Sequence, residues 1–98
     1  MLGEPVTAQR AVDWGIAHRS VPDAELMDAT AALAARLAAG PSKAYASIKA
    51  AFNSGERHSL VEQLELEGRL VHSLATTADF AEGVAAFLER RPAKFTGS

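Results

Sequence analysis

Apolar side chains recur every three or four residues in one stretch of this chain after another, and each stretch is bounded by residues that start or stop helices. The sharpest boundary is Ser59-Leu60-Val61-Glu62. It matches a capping box, in which the Ser hydroxyl and the Glu carboxylate each satisfy a backbone amide that the first helical turn leaves open. A helix from there to about Ala75 is expected. Thr76-Thr77 then offers a fresh N-cap with Asp79 in the first turn, and Phe80, Val84, Phe87 and Leu88 follow at i, i+4, i+7 and i+8. Pro92 closes this last helix.

Upstream the punctuation continues. Thr7 caps a helix of about two turns from Ala8 to Trp14, which Gly15 stops. The stretch from Ile16 to Val21 is apolar at its two ends, polar at His18, Arg19 and Ser20, and stops at Pro22; it is expected to be a short extended segment, a strand without a partner. Pro22-Asp23-Ala24-Glu25 opens a second helix that carries Leu26, Thr30, Leu33 and Leu37 and ends at Gly40-Pro41. A third begins near Ser42, carries Tyr45, Ile48 and Phe52 on one side, and is expected to break at Asn53-Ser54-Gly55. The reading is an all-α protein of about five helices with one short extended segment, forming a single domain over residues 1–98.

Composition limits what such a bundle can do. Hydrophobic residues make up 48% and charged residues 22%, the values of a folding chain rather than a disordered one. Ala dominates the apolar share, however, and the large side chains that each contribute roughly 1.5–3 kcal/mol on burial are few. The independent core is therefore thin, and some amphipathic stripes are expected to face another chain, which makes a homo-oligomer the natural inference. A formal charge of -2 gives no footprint for nucleic acid. With no Cys there is no disulfide or thiolate chemistry. No apolar run approaches the ~20 residues of a membrane span, and the start lacks the features of a signal peptide, so a cytoplasmic location is expected.

Candidate chemistry is sparse. His18, His58 and His72 pair with no second ligand at helical metal-site spacing, so no metal site is expected. Glu62, Glu65 and Glu67 form an acidic cluster that reads as a solvated helix face. No Gly-x-Ser-x-Gly elbow, Ser-x-x-Lys motif or Gly-rich phosphate loop is present, and no catalytic residue is assigned. One constellation could hold an anion: Arg90, Arg91 and Lys94 follow a helix that carries Phe87. Cations at a helix C-terminus are stabilising in their own right. With an adjacent aromatic ring they also suit the phosphates and base of a nucleotide-like ligand.

Three stretches carry a resemblance: Gly3-Glu4-Pro5-Val6-Thr7-Ala8, leading through Trp14-Gly15-Ile16 to Val21-Pro22; Ala39-Gly40-Pro41-Ser42 with Ala44 and Ile48-Lys49; and Asp79-Phe80, Glu82-Gly83-Val84, Ala86-Phe87-Leu88-Glu89-Arg90-Arg91-Pro92 and Lys94-Phe95. Together they resemble the C-terminal region of the enoyl-CoA hydratase/isomerase (crotonase) family, and the third is close to the family's closing signature. Arg10 stands where an acidic residue often follows the cap, and Arg90 where Lys is common.

The resemblance implies that the catalytic core, with the oxyanion-holding amides and the catalytic acids, lies upstream of this sequence. The chain alone would then be inactive, and Met1 would sit inside a longer family segment. Residues 1–22 would be the edge of the missing core, and residues 23–98 a helical region like the crotonase trimerisation region. The parent would hydrate a 2-enoyl-CoA in fatty-acid or related acyl-CoA metabolism, with a coenzyme A thioester as substrate and no prosthetic group. It would assemble as a trimer or hexamer, and the isolated chain as a dimer. By position in the closing signature, Phe87 and Arg90 would contact CoA, with Lys94 as a further basic candidate. The competing reading is a stand-alone helical interaction module without enzymatic activity.

Overall fold

The computed structural model describes residues 3–98, so the expectation about Met1 lies outside the described residues. Five α-helices follow one another: α1 (Ala8–Asp13), α2 (Leu26–Ala38), α3 (Ser42–Gly55), α4 (Leu60–Ala75) and α5 (Ala78–Glu89), with a single 3-10 turn over Asp23–Glu25 ahead of α2. Among the described residues there is no strand. The contacts group into two compact units, one ending at Ala34 and the other spanning Ala35–Ser98.

In the first unit, the Thr7 hydroxyl accepts the Arg10 amide at 3.3 Å and starts α1. The Arg10 guanidinium lies 4.6 Å from the centre of the Trp14 ring, a cation–π contact on the helix surface. Gly15 takes a left-handed φ of 72°, and the amides of Gly15 and Ile16 return to the carbonyls of Val12 and Ala11 at 2.9 and 2.8 Å. This is a Schellman stop.

That stop overturns the expected extended segment. Ile16–His18 is a series of bends, and the Ala17 amide also folds back on the Ala11 carbonyl at 3.1 Å. Residues 19–22 have no regular structure. A lone strand has no ladder to satisfy its amides, and here the end of α1 takes up the first two of them instead.

In the second unit, α3 packs on α4 and α4 on α5. The expected break at Asn53-Ser54-Gly55 falls at the last residue of that run, where α3 ends. Ser54 donates from its hydroxyl to the Ala51 carbonyl at 2.9 Å and to Gln63 Oε1 at 3.1 Å, while Gln63 Nε2 donates to the same carbonyl at 3.1 Å. These bonds tie the last turn of α3 to the first turn of α4 and override the weak helix preference of the Asn-Ser-Gly run.

The capping box at Ser59 forms as the sequence predicts. Glu62 Oε2 accepts from the Ser59 amide at 2.8 Å and its hydroxyl at 2.7 Å, and the Glu62 amide reaches the Ser59 Oγ at 3.4 Å. Bonding to the Ser59 hydroxyl, and then to its amide, holds the Glu62 carboxyl below its ordinary range. Thr77 caps α5 through its hydroxyl, which accepts the Phe80 amide at 3.1 Å.

These helices are locally well specified but bury little. Among the described residues only Ala86, 2% exposed, and Asp79, 5% exposed, are fully buried. The chain presents 8171 Å² to solvent.

Candidate functional site

The end of α5 concentrates the chain's unusual features. The helix stops in a Schellman motif: the Arg90 amide returns to Phe87 O at 3.3 Å and the Arg91 amide to Ala86 O at 3.0 Å. At the left-handed position of this motif stands Arg90, with φ 53°, the only described residue other than Gly with positive φ. A side chain there carries a cost that Gly avoids, and such outliers concentrate at functional positions.

Arg91, next in sequence, is fully engaged. Its Nη1 and Nη2 meet the two oxygens of Glu82 at 2.6 and 2.9 Å, and its Nε meets Glu89 Oε2 at 2.6 Å. The bidentate Arg91 fork, followed by the Lys94 backbone amide at 2.7 Å, pulls the Glu82 carboxyl from 4.5 to about 2. Among the described residues, no carboxylate pairs with the side chain of Arg90 or of Lys94.

Beyond Pro92 the chain turns back along the start of α5. The buried Asp79 carboxylate accepts the Thr96 amide at 2.7 Å and the Gly97 amide at 3.0 Å, and the Asp79 amide donates to Ser98 O at 3.1 Å. Phe95 is thereby laid over Gly83, where an added Cβ would sit 3.7 Å from its ring. The returning tail forms one wall of an open apolar groove of about 380 Å³, lined also by Ala44, Leu74, Phe80, Val84, Phe87 and Leu88.

The sequence-predicted candidates are neighbours in this region but do not share one concavity. Phe87, 82% exposed, lines the apolar groove. Lys94 lines a separate polar hollow with Asp79, Glu82, Arg91 and Thr96. Arg90 sits in the turn and lines neither. Sequence reasoning named all three cations but missed the division among them, in which Arg91 anchors the turn while Arg90 and Lys94 stay exposed. It also missed Asp79 and Glu82 as partners of the tail, since those bonds link residues nine to eighteen positions apart, beyond the reach of helical spacing.

The acidic cluster on α4 is accounted for locally. Glu62 closes the capping box, Glu65 lies 4.0 Å from Arg69, and Glu67 accepts from Gln63 at 2.8 Å. Among the described residues no helix is long and apolar enough to cross a membrane.

The sequence profile of a family described as enoyl-CoA hydratase/isomerase matches residues 1–98. The chain belongs to that family. It is 45% identical over 97 residues to a Rhodobacter capsulatus protein named "Probable enoyl-CoA hydratase", covering 99% of this chain and 38% of that protein. It is 39% identical to the 1,2-epoxyphenylacetyl-CoA isomerase of Escherichia coli, covering 99% of this chain and 37% of the relative. Among solved structures, the enoyl-CoA hydratase of Mycobacterium tuberculosis H37Rv superposes with a TM-score of 0.86 at 26% identity, over 98% of this chain and 38% of that one. This enoyl-CoA hydratase/isomerase family chain thus spans less than two fifths of the length of these relatives. Its neighbours place the helical fold described above among crotonase-fold proteins.

Proposed function

We propose that this chain forms the C-terminal, assembly-forming and CoA-bordering part of an acyl-CoA enzyme, whose full-length parent adds water across a 2-enoyl-CoA double bond. The placement rests on the order of its motifs, which end in the closing signature from Asp79 to Phe95. Residues 1–22 would border the catalytic core and residues 23–98 would make the subunit contacts. The catalytic acids and the oxyanion-holding amides would lie outside this sequence, so the chain by itself is expected to be inactive. The parent would take a CoA thioester as substrate, need no prosthetic group and assemble as a trimer or hexamer in the cytoplasm.

The observation that carries the CoA reading is the division of labour at the end of α5. Arg91 is neutralised internally by Glu82 and Glu89, while Arg90 is held in a costly left-handed conformation, three residues beyond an exposed Phe87, with its guanidinium unpaired among the described residues. Two unpaired cations and an aromatic face are what the phosphates and adenine of CoA would engage. Phe87 and Arg90 are the principal contacts in this reading and Lys94 a further one. The exposed apolar side chains of α4 and α5 support assembly, since a free-standing chain would leave them in water.

A chimera tests both placement and role. The C-terminal 97 or so residues of the Rhodobacter capsulatus relative, the length of the match, are replaced by this chain, and the product is assayed for crotonyl-CoA hydration and oligomeric state. An active oligomer whose KM rises on Arg90→Ala supports the proposal. An inactive or monomeric chimera, with activity kept when the chain replaces the relative's N-terminal end instead, overturns the C-terminal placement. Turnover by the 98-residue chain alone would show that its catalytic residues have been misplaced.

A further inference from the structure

The returning tail, residues 92–98, is fastened to α5 by two carboxylates set three residues apart, Asp79 and Glu82. Asp79 takes the amides of Thr96 and Gly97, and Glu82 takes the amide of Lys94 together with the Arg91 fork. The left-handed turn at Arg90 lies between α5 and this tail, so its two flanks are fixed by the same pair of groups. Neither carboxylate would touch a ligand held by Arg90 and Lys94, because Glu82 is already occupied by Arg91 and the Lys94 amide, and Asp79 is buried.

We propose that Glu82, assisted by Asp79, is a positioning residue for anion binding, which fixes the Arg90–Lys94 turn so that both cations are presented together to a phosphate-bearing ligand. This inference rests on the CoA-bordering reading. It assigns a ligand-orienting part to residues that carry the wrong charge to bind the ligand themselves. Without Glu82, the Arg91 fork and the Lys94 amide lose their common acceptor, and the left-handed Arg90 is left with only the two backbone bonds of its Schellman turn.

The charge makes the inference sharply testable. Glu82→Gln removes a negative charge beside an anion site, so electrostatics alone predicts tighter binding. Positioning predicts the reverse, by analogy with metal sites, where losing the groups that orient the ligands costs roughly 10–100-fold in affinity. The experiment follows backbone amide signals of the 98-residue chain by NMR, with coenzyme A as the titrant, for the native sequence, Glu82→Gln, Asp79→Asn and Arg90→Ala. Far-UV circular dichroism checks that α5 persists.

The expected result is about tenfold weaker CoA binding in Glu82→Gln at unchanged helicity, together with faster exchange of the Lys94 and Thr96 amides. Binding that is unchanged or tighter in Glu82→Gln, while Arg90→Ala still weakens it, overturns the positioning role and leaves the CoA reading standing. If the native chain gives no CoA response, the ligand assignment falls, and with it the role of Glu82 toward CoA. Unchanged exchange in Glu82→Gln shows that the carboxylate does not pin the turn and overturns the inference whatever the ligand.

Discussion

Leu64→Glu should weaken self-association of this chain without melting its helices. Leu60, Val61, Leu64 and Val71 of α4 and Phe80, Val84, Phe87 and Leu88 of α5 are all exposed. A standard interface covers roughly 800 Å² per partner, and rows of such side chains are the surface that its centre covers. Leu60, Leu64 and Val71 share one face of α4, and Leu64 is 60% exposed. Burying a Leu in a contact contributes roughly 1.5–3 kcal/mol, and a Glu in its place would also have to shed water from its charge. At about 1.4 kcal/mol per decade, the dissociation constant should rise at least about tenfold. Sedimentation velocity over a concentration series, with circular dichroism on the same samples, measures both quantities. A native chain that stays at 10.3 kDa at high micromolar concentration and unfolds in one cooperative transition would refute the reasoning. A variant that associates as tightly as the native chain would remove this face of α4 from the interface.

Ser59→Ala removes the hydroxyl half of the capping box, leaving the Glu62 carboxylate on the residue-59 amide, and should cost about 1 kcal/mol, read as a lower thermal midpoint of the α4 signal. Gly68→Ala, within α4 and with nothing within 4 Å of an added Cβ, should stabilise the helix by roughly 0.5–1 kcal/mol in the same melt. Acid should loosen the tail. The Glu82 pKa is depressed in the folded chain, so its contribution is complete above 4.5 and is lost as pH falls toward about 2, and exchange of the Lys94 amide should accelerate across that window while core amides of α4 lag behind. Arg90→Gly should relieve the left-handed cost and raise stability by up to about 1 kcal/mol while weakening CoA binding, a pairing that calorimetry and titration of one sample can test.

Most of the helical order was legible because it is local. The caps at Thr7, Ser59 and Thr77 and the stop at Gly15 form as their residues predict, since each depends on groups within four positions of one another. The break at Asn53-Ser54-Gly55 was legible to within the run, and its exact place, after Gly55, goes with Gln63 on the next helix, which bonds to Ser54 and the Ala51 carbonyl. One reading failed: the segment up to Val21 had no strand to pair with, and a short run of residues does not supply one. At the candidate site, residue types pointed to the cations, but their division into an anchored Arg91 and unpaired Arg90 and Lys94 depends on a tail that doubles back. Spacing along one helix carries no signal for that return.

The two Schellman stops in this chain allow a comparison under nearly equal geometry. At the end of α1 the left-handed position is filled by Gly15 at φ 72°, and the chain beyond it needs no carboxylate to hold the turn. At the end of α5 the same position is filled by Arg90 at φ 53°, and the turn is braced by Glu82 and Asp79. A stop as such requires only the first solution, which is cheaper because Gly meets no steric penalty there. Helix termination alone therefore does not account for Arg90, and the proposed anion contact gives its side chain a part that Gly could not play. Among the described residues the Arg90 guanidinium has no carboxylate partner, while the charge of its neighbour is already satisfied. The strain, the bracing and the unpaired charge are three separate observations, and a role for Arg90 in holding an anion from outside this chain accounts for all of them.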